Sequence, residues 1–441
     1  MRNTFKLQRL QILINLFVFV LVPIFLVYYY RRGGIVDGYE ENNSLRDLEV
    51  WLNAGMKILH GDSPYTDPGH WMKSGSLTTT IYGSAGLFLP NTMLYLVAQI
   101  LTFLGVWMFI KVIFESNFQL QRKVFFFTSI ASCLRENLVD IQLTGHILLL
   151  LALGAHWLKN ERSTRFHIRS SLFFVLAVDL KPNICVAFIL IILTAERKLR
   201  VLLPMTITFL VGYLFLSVWT STNLLLEWFN ILRGVAQGTE TSNLFGSVSI
   251  WQALNSLSWV NDRLNFFSIV TFALIVFLGM LVGVRIPRIA IYISLLSPFF
   301  YSFFQYYSFT PIYILAIGIA FQRKDLFLSI FIAVTLVITT NINSAPNAIL
   351  MIFTLCILLF EARSQLSARK LREVIASLFF AVVLKWSIFI STPTDPDRIS
   401  LLLTCVLLMV FLRTCNSREI KSLPFLKNYF NSKPFPNSND K

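Results

Sequence analysis

Two apolar runs, Leu10 to Tyr30 and Val201 to Ser221, constrain this chain more than any other feature. Each is about 20 residues long, and a helix of that length at ~1.5 Å per residue matches the ~30 Å hydrocarbon slab of a bilayer. Backbone amides in lipid must be bonded within their own segment, which leaves helices; outer-membrane barrels use shorter alternating strands. The expected fold class is therefore an all-α polytopic membrane protein. Composition agrees: 55% of the 441 residues are hydrophobic and 14% charged, against ~25% charged in soluble domains. A soluble enzyme is excluded.

The net charge of +15 raises the question of nucleic acid, but membrane proteins sort Lys and Arg by side, so charge is counted loop by loop. One set of segments comprises the N-terminus, Lys111 to Lys123, Lys159 to Arg169, Glu196 to Arg200, Arg285 to Arg288, Arg323 to Asp325, Glu361 to Glu373 and the tail from Arg413. These hold 27 of the 38 basic residues and 8 of the 23 acidic ones. The positive-inside rule makes that side cytoplasmic, with both termini on it. No nucleic-acid partner is implied. The first run continues into Tyr28, Tyr29, Tyr30 and Arg31 without a small-residue cleavage site, so it is expected to stay as an anchor.

Sidedness turns hydropathy into a path. The chain is expected to rise through 10–30, form an outer loop over 31–84, descend through 86–110, then cross a basic inner turn. Residues 124–134 and 146–158 are apolar runs too short to span, with polar Arg135 to His146 between them. The same shape recurs at 170–178 and 184–195 around Asp179, Leu180, Lys181 and Pro182. Such broken helices are tolerated where irregular backbone is buried in protein or lines a watery cavity. A span over 201–221 leads to a second outer loop, 222–265. Roughly 12 to 14 transmembrane or re-entrant helices fit one integral membrane domain over 1–412, followed by a basic cytoplasmic tail over 413–441 near anionic headgroups.

Candidate chemistry clusters on the outer side. Ser44 and Asp47 fit the S-x-x-D capping box, and Leu48, Trp51, Leu52, Gly55, Met56 and Leu59 recur at helical spacing. The segment reads as an amphipathic helix lying on the membrane. Asp47 has two readings: a helix-start residue, or a carboxylate that takes a proton from a sugar hydroxyl. Lys181 and Arg135 lie at membrane depth, where charges usually face a cavity or a partner. Each either meets a ligand phosphate or neutralises a neighbour, Asp179 for Lys181 and Glu136 or Asp140 for Arg135. Lys385 reads as a side chain that snorkels or binds a lipid headgroup.

From Asp47 to Tyr65 the chain reads Asp-Leu-Glu-Val-Trp-Leu-Asn-Ala-Gly-Met-Lys-Ile-Leu-His-Gly-Asp-Ser-Pro-Tyr. This resembles the first outer loop of glycosyltransferase family 87, polytopic C-type enzymes that use polyprenyl-phosphate sugars, typically mannose. Gln142 in the first polar linker, Lys181-Pro182 in the second and Asn243 to Ser247 in the large loop follow in the family's order, so the resemblance covers roughly residues 40 to 320. It implies Asp47 as the catalytic base, and it implies a polyprenyl-phosphate donor and a glycolipid or glycan acceptor on the extracytoplasmic face, with inversion at the anomeric centre. The chain departs from the family at Tyr82-Gly83-Ser84, at Ile141-Gln142, and at Phe299 to Tyr307, where the family often carries a Trp and a His.

For the donor phosphate Arg135 and Lys181 are the candidates, and for substrate contacts Tyr65, Tyr82, Gln142, His146 and Asn243. His146 follows Gln142 by four residues, on one helical face. Tyr82, Trp71, Trp157, Trp219 and Trp228 read first as interface anchors. No histidine spacing suits zinc and the five cysteines show no CxxC pair, so no cofactor is expected; a divalent metal held by Asp47 and another outer acid is the less favoured alternative. Two other readings stand beside the transferase. Broken helices also serve lipid or lipid-linked-sugar transporters and flippases, and the departures admit a catalytically degenerate homologue.

Overall fold

The computed structural model describes residues 46–66, 74–114, 117–129, 131–139, 142–160, 166–181, 198–237, 310–337 and 371–379, with positions 270, 274, 358 and 367. Among them all regular structure is helical. In chain order the helices are α1 Arg46–Leu59, α2 Ser76–Phe88, α3 Asn91–Ile113, α4 Phe118–Ser129, α5 Ser132–Val139 and α6 Thr144–Asn160. They continue with α7 Ile168–Leu180, α8 Lys198–Thr220, α9 Leu224–Gln237, α10 Thr310–Gln322 and α11 Leu326–Val337. Two of them, over Met93–Ile113 and Leu199–Thr220, are long and apolar enough to cross a membrane. The expected spans at 10–30, the limb at 184–195, most of 266–412 and the tail lie outside the described residues.

Neighbouring helices pack in a chain of pairs. α3 lies on α6, α6 on α7, and α7 on α8, while α2 touches α1, α7 and α8. On the other side α10 packs on α4 and α11, and α5 reaches α3, α4 and α11. α8 shows why the arrangement suits hydrocarbon. Leu199, Leu203, Ile207, Val211, Leu214, Phe215 and Val218 are exposed along one side, while Val201, Met205, Tyr213 and Leu216 are buried on the other. A stripe of large exposed apolar side chains at helical spacing is a face that water would reject.

Pro204 sits inside α8 and has no N–H to give the carbonyl of Arg200 four residues earlier. The N–H of His167 takes that place, 2.9 Å from the Arg200 oxygen, and the hydroxyl of Ser171 donates to the next carbonyl, Val201, at 2.9 Å. The entry of α7 thereby repairs the ladder of α8. α7 ends at Leu180 and is capped by the extended Lys181, immediately before Pro182, whose ring disfavours helical geometry in the residue before it.

Four sequence expectations are corrected. The descending stroke begins at Asn91, after Pro90, and residues 76–88 form a separate helix where an outer loop was expected. Thr79 and Thr80 explain it: their hydroxyls donate to carbonyls four residues back, Gly75 and Ser76, each at 2.7 Å, so a run that reads as polar loop satisfies itself within a helix. Second, the apolar stripe of α1 is covered by protein, with Leu48, Leu52, Ala54 and Ile58 buried, rather than laid on lipid. Third, the polar linker at 135–146 is mostly helical, since α5 runs to Val139 and α6 starts at Thr144; Asn137 donates to Cys133 O and to Thr310 Oγ1, which accommodates a polar residue inside the packing. Fourth, the loop at 222–265 opens with α9, started by Asn223, whose side-chain oxygen accepts from Leu226 N at 3.1 Å.

Candidate functional site

A helix start leaves its first N–H groups without partners, and α2 begins deep in the protein, so those donors must be met by other side chains. Asp179, in the last turn of α7 and fully buried, meets them. Its carboxylate accepts from the N–H of Thr78 at 2.7 Å and from the Thr78 hydroxyl at 2.8 Å, and its backbone oxygen accepts from Gly75 N at 2.6 Å. The hydroxyl of Tyr213, from α8, donates to the other carboxylate oxygen at 2.7 Å and accepts from Ser76 N at 3.1 Å. A carboxylate at a helix N-terminus also faces the positive end of the dipole. Gly75 is required here, because a Cβ at that position would overlap the Asp179 carboxylate and the Tyr213 hydroxyl.

The network extends to the segment between α1 and α2. Ser76 donates to the Tyr65 hydroxyl at 3.0 Å, which donates to Ser74 O at 3.1 Å. Burial raises the Tyr65 phenol above its ordinary range, so it remains a donor at any physiological pH. Ser63 donates to Glu227 of α9, which ties the segment after α1 to α9. Trp219 at the end of α8 donates to Ile58 O at 2.9 Å and fixes the end of α1.

A second polar pair lies on the α6 side of α2. Tyr82 bonds Nδ1 of His146, and the two rings stack with centroids 5.8 Å apart. His146 Nε2 is 2.9 Å from the carbonyl of Ala98, which can only accept; Nε2 therefore carries the proton and Nδ1 of the neutral ring accepts from Tyr82. Trp51 of α1 stands 6.4 Å from the Tyr82 ring. Gln142 is buried just before α6, its N–H bonded to Asn137 O at 2.9 Å.

Of the expected site residues, Tyr65, Tyr82 and His146 are thus gathered around α2. Lys181 follows Asp179 at the end of α7, beside the same helix. The carboxylate of Asp179 is served by Thr78 and Tyr213, so the pairing of Asp179 with Lys181 is not needed to account for its burial. Asp47 lies in the first turn of α1, and Arg135 lies on α5. α5 packs against α3, α4 and α11, and α7 against α2, α6 and α8, with α3 on α6 joining the two sets. Asn243 lies outside the described residues. Sequence reasoning missed Tyr213, Thr78 and Glu227; Tyr213 had one signal, a phenol in an otherwise apolar span, where a buried hydroxyl usually finds a partner. Among the described residues no group of three or more His, Cys, Asp or Glu side chains is placed to hold a metal ion.

The hydroxyls, phenols and imidazole of this layer are engaged with one another, so in this state they hold α1 and α2 against α6, α7 and α8. Comparison with family models, with curated proteins and with solved structures finds no match to this chain.

Proposed function

We propose that the chain is a C-type membrane glycosyltransferase similar to family 87. It has roughly 12 to 14 transmembrane or re-entrant helices, both termini in the cytoplasm and its site on the outer face of the plasma membrane. It moves a hexose, mannose in the typical case, from a polyprenyl phosphate to a glycolipid or glycan acceptor. The observation that supports this most is the anchoring of α1. The helix that carries Asp47 in its first turn is fastened to α2 through Trp51 and Tyr82, and to α8 through Ile58 and Trp219. A base in a displacement needs a fixed backbone.

The chemistry balances without a cofactor. The Asp47 carboxylate takes the proton of the acceptor hydroxyl as that oxygen attacks the anomeric carbon from the face opposite the phosphate. The bond from carbon to phosphate oxygen breaks, and polyprenyl phosphate leaves with the electron pair, its developing charge stabilised by a cation at Lys181. Arg135 is the second candidate for that role. The configuration at carbon inverts.

The test is transfer of labelled mannose from polyprenyl-phosphate mannose by the purified chain in proteoliposomes containing its own membrane lipids. Asp47→Asn is expected to lose at least ~100-fold in rate, at the lower end for removal of a general base, while Glu49→Gln keeps it. Near-native transfer by Asp47→Asn removes that carboxylate from the mechanism. Lipid scrambling or sugar uptake without transfer supports the transporter reading instead, and donor binding with no turnover supports the degenerate one.

A further inference from the structure

Trp51 stands one turn after Asp47 on α1, and Gly55 one turn after that, so the three lie along one line of the helix. Gly55 is pressed against α2, where a Cβ would overlap the backbone of Thr79 and Gly83, and this holds the line close to α2. The Trp51 ring is half-buried, with its centroid 6.4 Å from that of Tyr82 and the two planes tilted by 38°. Tyr82 is itself held: its hydroxyl donates to His146 Nδ1, the two rings stack at 5.8 Å, and His146 Nε2 donates to Ala98 O at 2.9 Å. Four helices, α1, α2, α3 and α6, thus fix the rings. Trp219, at the end of α8, gives its N–H to Ile58 O at 2.9 Å. The Trp51 N–H has no hydrogen-bond partner among the described residues, and its nitrogen is not enclosed. A rigid aromatic wall therefore ends in one unused donor, one turn from the carboxylate assigned as the base.

We propose that Trp51 holds the acceptor and that the acceptor's reactive end is a pyranose ring, an assignment that rests on the transferase reading of Asp47. The negative π face of an indole attracts the polarised C–H groups on one side of a pyranose, and the free N–H meets one of its hydroxyls. Side chains four residues apart on a helix have Cβ atoms about 5–6 Å apart, close to the width of one pyranose. A ring lying on Trp51 therefore brings a neighbouring hydroxyl to the level of Asp47. The donor sugar is the poorer occupant, because the base acts on the acceptor oxygen. An open-chain polyol would meet the N–H and leave the ring face unused. Tyr82, whose hydroxyl is committed to His146, backs the indole with its ring.

Saturation-transfer difference NMR on the full chain in detergent tests the contact without relying on turnover, with methyl α-mannopyranoside as probe and glycerol as the ring-free control. The native chain is expected to saturate the ring protons of the mannoside and not glycerol. Trp51→Phe keeps an aromatic ring and loses the N–H, and is expected to weaken binding about threefold; Trp51→Leu, which loses both, about tenfold. Trp157→Phe, the same change near the basic end of α6, is expected to leave binding intact. In the transfer assay both Trp51 variants are expected to raise KM for the mannoside as acceptor and to leave KM for the donor unchanged. Equal signals from the native chain and Trp51→Phe, as for an aromatic residue that only anchors the membrane surface, overturn the contact, as does no signal from the native chain. Trp51-dependent signals in a chain that transfers nothing keep the pyranose contact and count against the transferase reading. Transfer that needs Asp47 and is indifferent to Trp51 keeps that reading and overturns the contact. Trp51→Phe alone decides should Trp51→Leu fail to fold.

Discussion

Asp179 is the residue that ties the end of α7 to the start of α2 and to α8. A carboxylate in an apolar limb is legible as expensive from sequence, which is why it was expected to have a partner. One of the two readings of Lys181 paired it with Asp179, two residues away; the structure adds Thr78, 101 positions earlier, and Tyr213, 34 positions later. Sequence reading favours neighbours because distance along the chain is all it can measure. Tyr213→Phe removes one donor to a buried carboxylate and the acceptor of the Ser76 amide. It is expected to destabilise the protein by about 1–3 kcal/mol, read as lowered thermal unfolding in detergent relative to the native chain. Pro204 teaches the same lesson: the missing N–H was visible in the sequence, but the His167 amide that replaces it was not.

At the scale of elements, α8 matched its expected span almost to the residue, because a long uninterrupted apolar run leaves a helix no alternative in lipid. α1 was legible as a helix and misread in what it covers. Its apolar stripe meets α2, and the crossing is set by Gly55 against Gly83, where a Cβ on either would collide with the other's backbone. α2 was missed because glycine, serine and threonine signal a turn until their hydroxyls find carbonyls one turn back. Gly55→Val should push α1 off α2 at about 1–3 kcal/mol, the usual cost of overpacking, and open the 60–66 segment to limited proteolysis. Asn53→Ala, on the exposed side of α1, should change neither by more than about 0.5 kcal/mol. Unaltered proteolysis in Gly55→Val would show that the glycine crossing does not hold the helix.

At the scale of the molecule, contacts sort by the side that the charge count assigned. His167 meets Arg200 and the turn at Arg323 to Asp325 shares a cavity with Lys123, all from segments counted as basic. Ile58 meets Trp219 and Ser63 meets Glu227, from segments counted as outer. The polar layer between the ends depends on helix pairs that no single segment encodes. Asp47 on α1 is proposed to act away from the cytoplasm, where only lipid-borne donors are at hand. Thiol labelling of intact cells with a membrane-impermeant maleimide, in a background without the five native cysteines, tests that orientation. An outward-facing α1 predicts that Asn53→Cys is labelled from outside and Lys324→Cys only after permeabilisation; the reverse pattern would contradict it.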